Sequence, residues 1–160
     1  MPPDDARSNY LLVKTALLDR IEPQPAEVHR IPGELGGEAA AAEYDRDLEG
    51  VTLGLALQVL GPDGHTASLF PGSPALEERE RRAIAVPNDD VERVTMTLPM
   101  LSGASRVVFL VVGAEKAEAV ARAFASPPGP ATPASLLRSA NGETIVLLDR
   151  AAAANLDNAR

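Results

Sequence analysis

The sequence predicts an α/β fold, a mainly parallel sheet flanked by helices. Three observations carry this. Two apolar runs read as strands: residues 51–60, near-continuous and suited to burial on both faces of a parallel sheet, and residues 106–113, the clearest buried strand in the chain. Helix-forming stretches rich in Ala and Glu stand between the strand-like segments. Gly and Pro, twelve and fourteen of them, fall mostly at the changes from one pattern to the other. Strands alternating with helices of this length imply crossover connections and hence parallel pairing.

The elements follow in order. Residues 1–7 read as extended. Ser8 or Asn9 caps a helix over 9–21, with Tyr10, Leu11, Val13, Leu17 and Leu18 on its apolar side. Pro23 and Pro25 end it. Val28–Pro32 reads as a short strand carrying His29 as a structural residue. Residues 37–49 predict a helix with Ala40, Ala41, Tyr44 and Leu48 on one face. The strand at 51–60 leads into the loop 61–74, which holds three Gly and three Pro. Residues 75–81 are a short helix or loop. Ala83–Val86 is a strand stopped by Pro87, Asn88, Asp89 and Asp90. Arg93–Leu98 is a strand running into a short helix at 99–103. The strand 106–113 turns at Gly113 into a helix over 114–125. Residues 126–134 form a loop, and Pro133–Ser135 caps a turn at 135–138. Thr144–Leu148 is the last strand, and Asp149 caps a final Ala-rich helix. There is no internal repeat and no linker, so residues 1–160 are expected to form one domain.

Bulk properties exclude several function classes. The formal net charge is −8, which opposes binding to nucleic acid or an anionic membrane. A local Arg/Lys cluster could still hold one phosphate group. The absence of Cys removes disulfides, thiolate catalysis and Cys-based metal sites. No apolar run approaches the roughly eighteen residues of a membrane span, and the N-terminus lacks the apolar core of a signal peptide. A soluble cytoplasmic protein is the expectation. Aromatic residues make up 3% and Trp is absent, so Ala, Leu and Val must build the core.

Candidate chemistry gathers at strand ends. In 61–74, Asp63 stands two residues before His65, on a loop after a strand, where α/β enzymes place reactive groups. Histidine titrates near neutrality and suits a general base, with Asp63 orienting it or binding substrate hydroxyls. The alternatives are a solvated loop histidine and an Asx-turn aspartate. Lys116 opposes the dipole at a helix start unless an anion is held there, or unless it pairs with Glu115 or Glu118. Arg93 is a phosphate ligand, or a partner of Glu92 or Asp90. Thr66 and Ser68 could simply bond nearby backbone. Ser68 lacks the glycines of a nucleophile elbow. Asp63 and His65 alone are too few for a metal site. Neither a dinucleotide fingerprint nor a Walker A motif is present.

Gly61-Pro62-Asp63-Gly64-His65-Thr66-Ala67-Ser68-Leu69-Phe70-Pro71-Gly72 resembles the signature loop of 6-phosphogluconolactonases, in the glucosamine-6-phosphate isomerase/6-phosphogluconolactonase superfamily. The segments Asp5–Tyr10, Val28–Pro32, Arg93–Pro99, Gly113–Ala117, Pro133–Ser135 and Leu147–Ala152 resemble the family's other motifs, in its order. The resemblance spans essentially the whole chain. It implies a Rossmann-like, mainly parallel sheet lacking the family's N-terminal strands, so that a sheet edge and part of the core are exposed. It implies hydrolysis of 6-phosphoglucono-δ-lactone in the oxidative pentose phosphate pathway, without metal or organic cofactor. His65 and Asp63 are the implied catalytic positions. Arg93 and Lys116 are the implied phosphate contacts, with Ser8, Asn9, Gly61 and Gly64 around the substrate. An isomerase or deaminase, and a non-catalytic sugar-phosphate-binding remnant, stand as alternatives. The family's Ser-Gly-Gly-Ser-Thr-Pro-type phosphate loop and Asp-Glu-Arg stretch have no counterpart, and Met1-Pro2-Pro3 looks like a start inside the family's chain. Val59 replaces a family glycine and Val146 a frequent aromatic. The resemblance leaves oligomeric state open.

Overall fold

The computed structural model describes residues 1–88 and 91–156. A three-stranded parallel sheet has the order β1 (Leu55–Gln58), β4 (Arg106–Val111), β5 (Glu143–Leu148). A separate antiparallel pair is formed by β2 (Ala83–Val86) and β3 (Arg93–Met96). The helices are α1 (Asn9–Val13), α2 (Gly37–Asp47), α3 (Leu98–Ser102) and α4 (Ala117–Phe124). The expected α/β class and parallel sheet are present.

Local chemistry explains most boundaries. Ser8 Oγ accepts the Leu11 N–H at 3.4 Å and caps α1, which widens into a π turn over Lys14–Leu18. Glu92 Oε2 accepts the Gly37 N–H at 2.7 Å and caps α2 from a distant part of the chain. The apolar side of α2 is the predicted one: Ala40, Ala41, Tyr44 and Leu48 are buried, the last two against Ala83. Thr97 caps α3 by accepting the Met100 N–H, and donates its own hydroxyl to Arg81 O at 2.8 Å. The predicted helix at 114–125 is α4 preceded by a tighter turn over Ala114–Lys116.

The main core lies on one face of the parallel sheet. Ala56, Val107, Phe109 and Val111 share a buried cluster with Ala119, Val120 and Ala123 of α4. Phe109 is fully buried and meets Phe124 edge-on, ring centroids 5.1 Å apart. Arg138 lies over the Phe124 ring at 5.2 Å and donates to three carbonyl oxygens of residues 123, 134 and 137.

Four expectations are corrected. The run at 51–60 is not buried on both faces, and the run at 106–113 is buried along one face only. Leu55, Leu57, Val59, Leu110, Val112, Ile145 and Leu147 lie exposed on the opposite face, and Arg106–Glu143 forms the last rung of that face at 3.5 Å. Among the described residues β1 pairs with a strand on one side only. Val13 and Leu17 of the first helix are likewise about half exposed. Val28–Pro32 is not a strand, since no strand among the described residues pairs with it, and His29 is exposed and bonded to Glu27 at 2.9 Å. Residues 150–156 form turns rather than a helix, although Asp149 Oδ1 does accept the Ala152 N–H at 2.7 Å. Asp89 and Asp90, predicted to stop β2, lie outside the described residues.

Candidate active site

The loop after β1 is closed by its own backbone. Gly61 N–H donates to His65 O at 2.8 Å and Gly64 N–H to Gly61 O at 2.9 Å. Gly64 has φ +92, a left-handed conformation that favours glycine, and its carbonyl accepts the Ala134 N–H at 3.0 Å. Arg122 of α4 donates to Pro62 O at 2.9 Å and so clamps the loop from the helix side. Ala67 has φ +51, the only left-handed non-glycine backbone among the described residues. Such strain is often held at functional loops. Val59 does not share it, so its replacement of a family glycine brings no left-handed backbone strain.

Inside this frame Asp63 and His65 form a pair. Asp63 Oδ1 lies 2.6 Å from His65 Nδ1 and also accepts the His65 N–H at 3.1 Å. Burial pushes the Asp63 carboxyl up. The His65 backbone N–H, the His65 side chain and its charge outweigh that and leave it below the usual value. An ionised carboxylate can only accept, so Nδ1 carries a proton, and in the neutral imidazole the lone pair is on Nε2. Phe70 packs beside the imidazole, ring centroids 4.8 Å apart. Gly61 is buried against the pair. A Cβ there would stand 2.6 Å from Asp63 Oδ1 and closer still to His65 Nδ1 and Cε1.

Lys116 occupies the N-cap of α4, after β4. Because β1 and β4 are neighbours in a parallel sheet, the Asp63–His65 loop and Lys116 follow the carboxyl ends of adjacent strands. Neither glutamate suggested as its partner holds it. Glu118 pairs with Arg122 at 2.6 Å, and the Glu115 carboxylate folds back beside Gly113.

Arg93, Ser8 and Asn9 meet elsewhere, around a cavity of about 860 Å³. Ser68, three residues beyond His65, lines the same cavity, and its N–H donates to Thr95 Oγ1 on β3 at 3.2 Å. Arg93 is exposed. Its suggested partner Glu92 is engaged by Gly37, and Asp90 lies outside the described residues. Ser8 is buried and engaged as the α1 cap. His65, Asp63 and Lys116 do not line this cavity, so the eight expected site residues fall into two neighbouring groups joined by the loop 61–70.

Two further cavity-lining cations were not singled out from the sequence. Arg7 is paired with Asp5 at 3.0 Å, and Arg30 with Glu34 while its guanidinium lies 5.8 Å from the Tyr10 ring centroid. Such short-range pairing leaves no trace in hydrophobic periodicity. Among the described residues, no group of three or more His, Cys, Asp or Glu side chains is placed to hold a metal ion. Among them, too, no helix is long and apolar enough to cross a membrane.

Comparison with known proteins adds the following. The chain is 37% identical over 163 residues to the 6-phosphogluconolactonase of Homo sapiens, covering 96% of this chain and 63% of that protein. It is 37% identical over 164 residues to the 6-phosphogluconolactonase of a Nostoc species, covering 96% of this chain and 68% of that one. The chain thus spans a little under two thirds of the human protein's length. A crystal structure described as devB protein superimposes with a TM-score of 0.86 at 34% identity, over 98% of this chain and 70% of that chain. Residues 1–146 match the model of one family, and on that match the chain belongs to the glucosamine-6-phosphate isomerases/6-phosphogluconolactonase family.

Proposed function

We propose that this chain hydrolyses 6-phosphoglucono-δ-lactone to 6-phosphogluconate, the activity named for its human and Nostoc relatives. One observation carries the reading. His65 Nδ1 is tied to Asp63 Oδ1 at 2.6 Å, which leaves Nε2 as a free base on a loop at the carboxyl edge of the sheet. His65 Nε2 takes a proton from water as the water oxygen bonds to the lactone carbonyl carbon. The tetrahedral intermediate collapses, the ring C–O bond breaks, and the leaving alkoxide takes the proton back from Nε2. The new carboxylic acid releases its own proton to solvent. Asp63 holds the tautomer and stabilises the imidazolium while it exists. A lactone is an activated ester, so one base with positioned donors is a sufficient set.

Arg93 and Lys116 are assigned to the substrate phosphate, and the lack of a carboxylate partner for Lys116 among the described residues supports that role. Asn9 and Ser8 are assigned to the pocket wall, and Gly61 and Gly64 to the backbone around the reacting carbon. We place the reaction in the cytoplasm, and the net charge of −8 argues against a nucleic-acid or anionic-membrane partner.

The test compares the chain with its His65→Gln variant on freshly generated lactone, following acid release above the spontaneous rate. The variant is expected to lose about 10²–10⁴-fold in kcat, the usual contribution of a positioned general base. An unchanged rate in His65→Gln, or a wild-type rate no faster than the background, overturns the proposal.

A further inference from the structure

Gln58 is the polar residue inside an otherwise apolar strand, and its side chain points into the core at 9% exposure. A buried amide is costly unless hydrogen-bonded. Its Oε1 lies 2.9 Å from Thr66 Oγ1, and its Nε2 donates to Leu57 O at 3.1 Å. Thr66 is fully buried, directly follows His65, and its hydroxyl also lies 2.9 Å from Val59 O. One hydroxyl proton is therefore shared between two acceptors at the end of β1. The loop leaves the strand at Val59 and returns to it at Thr66, and these contacts close that ring behind the imidazole.

We propose that Gln58 and Thr66 form a positioning pair for the Asp63–His65 dyad. The hydroxyl of Thr66 fixes the downstream stem of the loop to the last residues of β1, and that anchor holds the His65 ring against Asp63. Neither residue touches substrate. The pair acts on the orientation and tautomer of His65. In its kinetic consequence this rests on the lactonase reading above, but its structural consequence does not.

The variants are Thr66→Val, which keeps the shape and removes the hydroxyl, Thr66→Ser, which restores it, and Gln58→Leu. Two readouts are used on the full chain. Long-range ¹H–¹⁵N NMR of the imidazoles, above the pH at which they protonate, reports which nitrogen carries the proton. With only two histidines, the exposed His29 serves as internal reference. Lactone hydrolysis gives kcat and KM separately.

In the wild type His65 is expected to carry its proton on Nδ1. Thr66→Val is expected to mix the tautomers and lower kcat about tenfold, with KM held within about twofold, the signature of misplaced chemistry rather than lost binding. Thr66→Ser is expected to restore both. Gln58→Leu, which leaves Thr66 bonded to Val59 O, is expected to shift both readouts in the same direction by less. If Thr66→Val does not fold, Gln58→Leu decides by the same readouts. A folded Thr66→Val with an unchanged tautomer and kcat overturns the proposal. So does a Thr66→Ser that behaves like Thr66→Val, since methyl packing rather than the hydroxyl would then be responsible. A wild type without lactonase activity whose tautomer is still lost in Thr66→Val refutes the lactonase reading and leaves the positioning pair standing.

Discussion

Gly61→Ala separates the fold from the site. The new methyl arrives where the Nδ1–Oδ1 hydrogen bond now lies, 2.6 Å from Asp63 Oδ1 and within the space of the His65 ring. What blocks it are two side-chain ends, not backbone, so the loop can yield by turning His65 away. Gly61 is not in the left-handed region, so Ala suits its backbone and restricts the unfolded chain, worth about 0.4–1 kcal/mol in favour of folding. The cost falls on the dyad. Losing a hydrogen bond to a charged group forfeits about 1.5–3 kcal/mol, or about ten- to a hundredfold in rate if it is spent in the transition state. The expected result is a chain that melts near the wild-type temperature with kcat down by that factor. Gly54→Ala is the control, because a Cβ there meets nothing within 4 Å. Full kcat in Gly61→Ala at wild-type stability would refute the claim that close approach of Gly61 sets the position of His65.

Two other predictions concern stability. Hydrogen bonds from Arg30 hold the Glu34 carboxyl at about 2, below its ordinary value of 4.5. A lowered folded value stabilises above the unfolded value and loses that contribution as pH falls, so the loss runs from about 4.5 down to about 2. Glu34→Gln should flatten the melting-temperature-against-pH curve in that window, and parallel curves for the two proteins would contradict it. Phe109→Ala should cost about 3–5 kcal/mol in urea unfolding, and Leu110→Thr, one residue along β4, no more than about 0.5 kcal/mol. Phe109 is fully buried and Leu110 is 49% exposed. Comparable costs at the two positions would mean that the face carrying Leu110 is covered in solution.

The α/β class was legible in the sequence because strand and helix periodicities are local properties of it. The run at 106–113 had to be a strand, and the Ala/Glu face of 37–49 had to be a helix. The pairing of Asp63 with His65 was legible for the same reason: two residues of separation in a tight turn keep both side chains within reach. Lys116 after β4 was legible from the order of strand, Gly113 and helix. Burial on both faces was misread, because an apolar run records what a strand is suited to pack against and not which neighbours are there. Val28–Pro32 has strand composition, yet a strand exists only where another backbone accepts its hydrogen bonds. The glycine at 61, the amide at 58 and the hydroxyl at 66 each have ordinary local explanations. Only the folded loop, which returns residue 66 to the end of β1 and stacks His65 on Gly61, gives them specific work. The sequence by itself determined the kinds of elements and the chemistry they carry, since both depend on residues close in the chain. Tertiary structure decided which face is bare, which groups share a cavity and what holds His65 in place, since these depend on contacts between residues that only folding brings together.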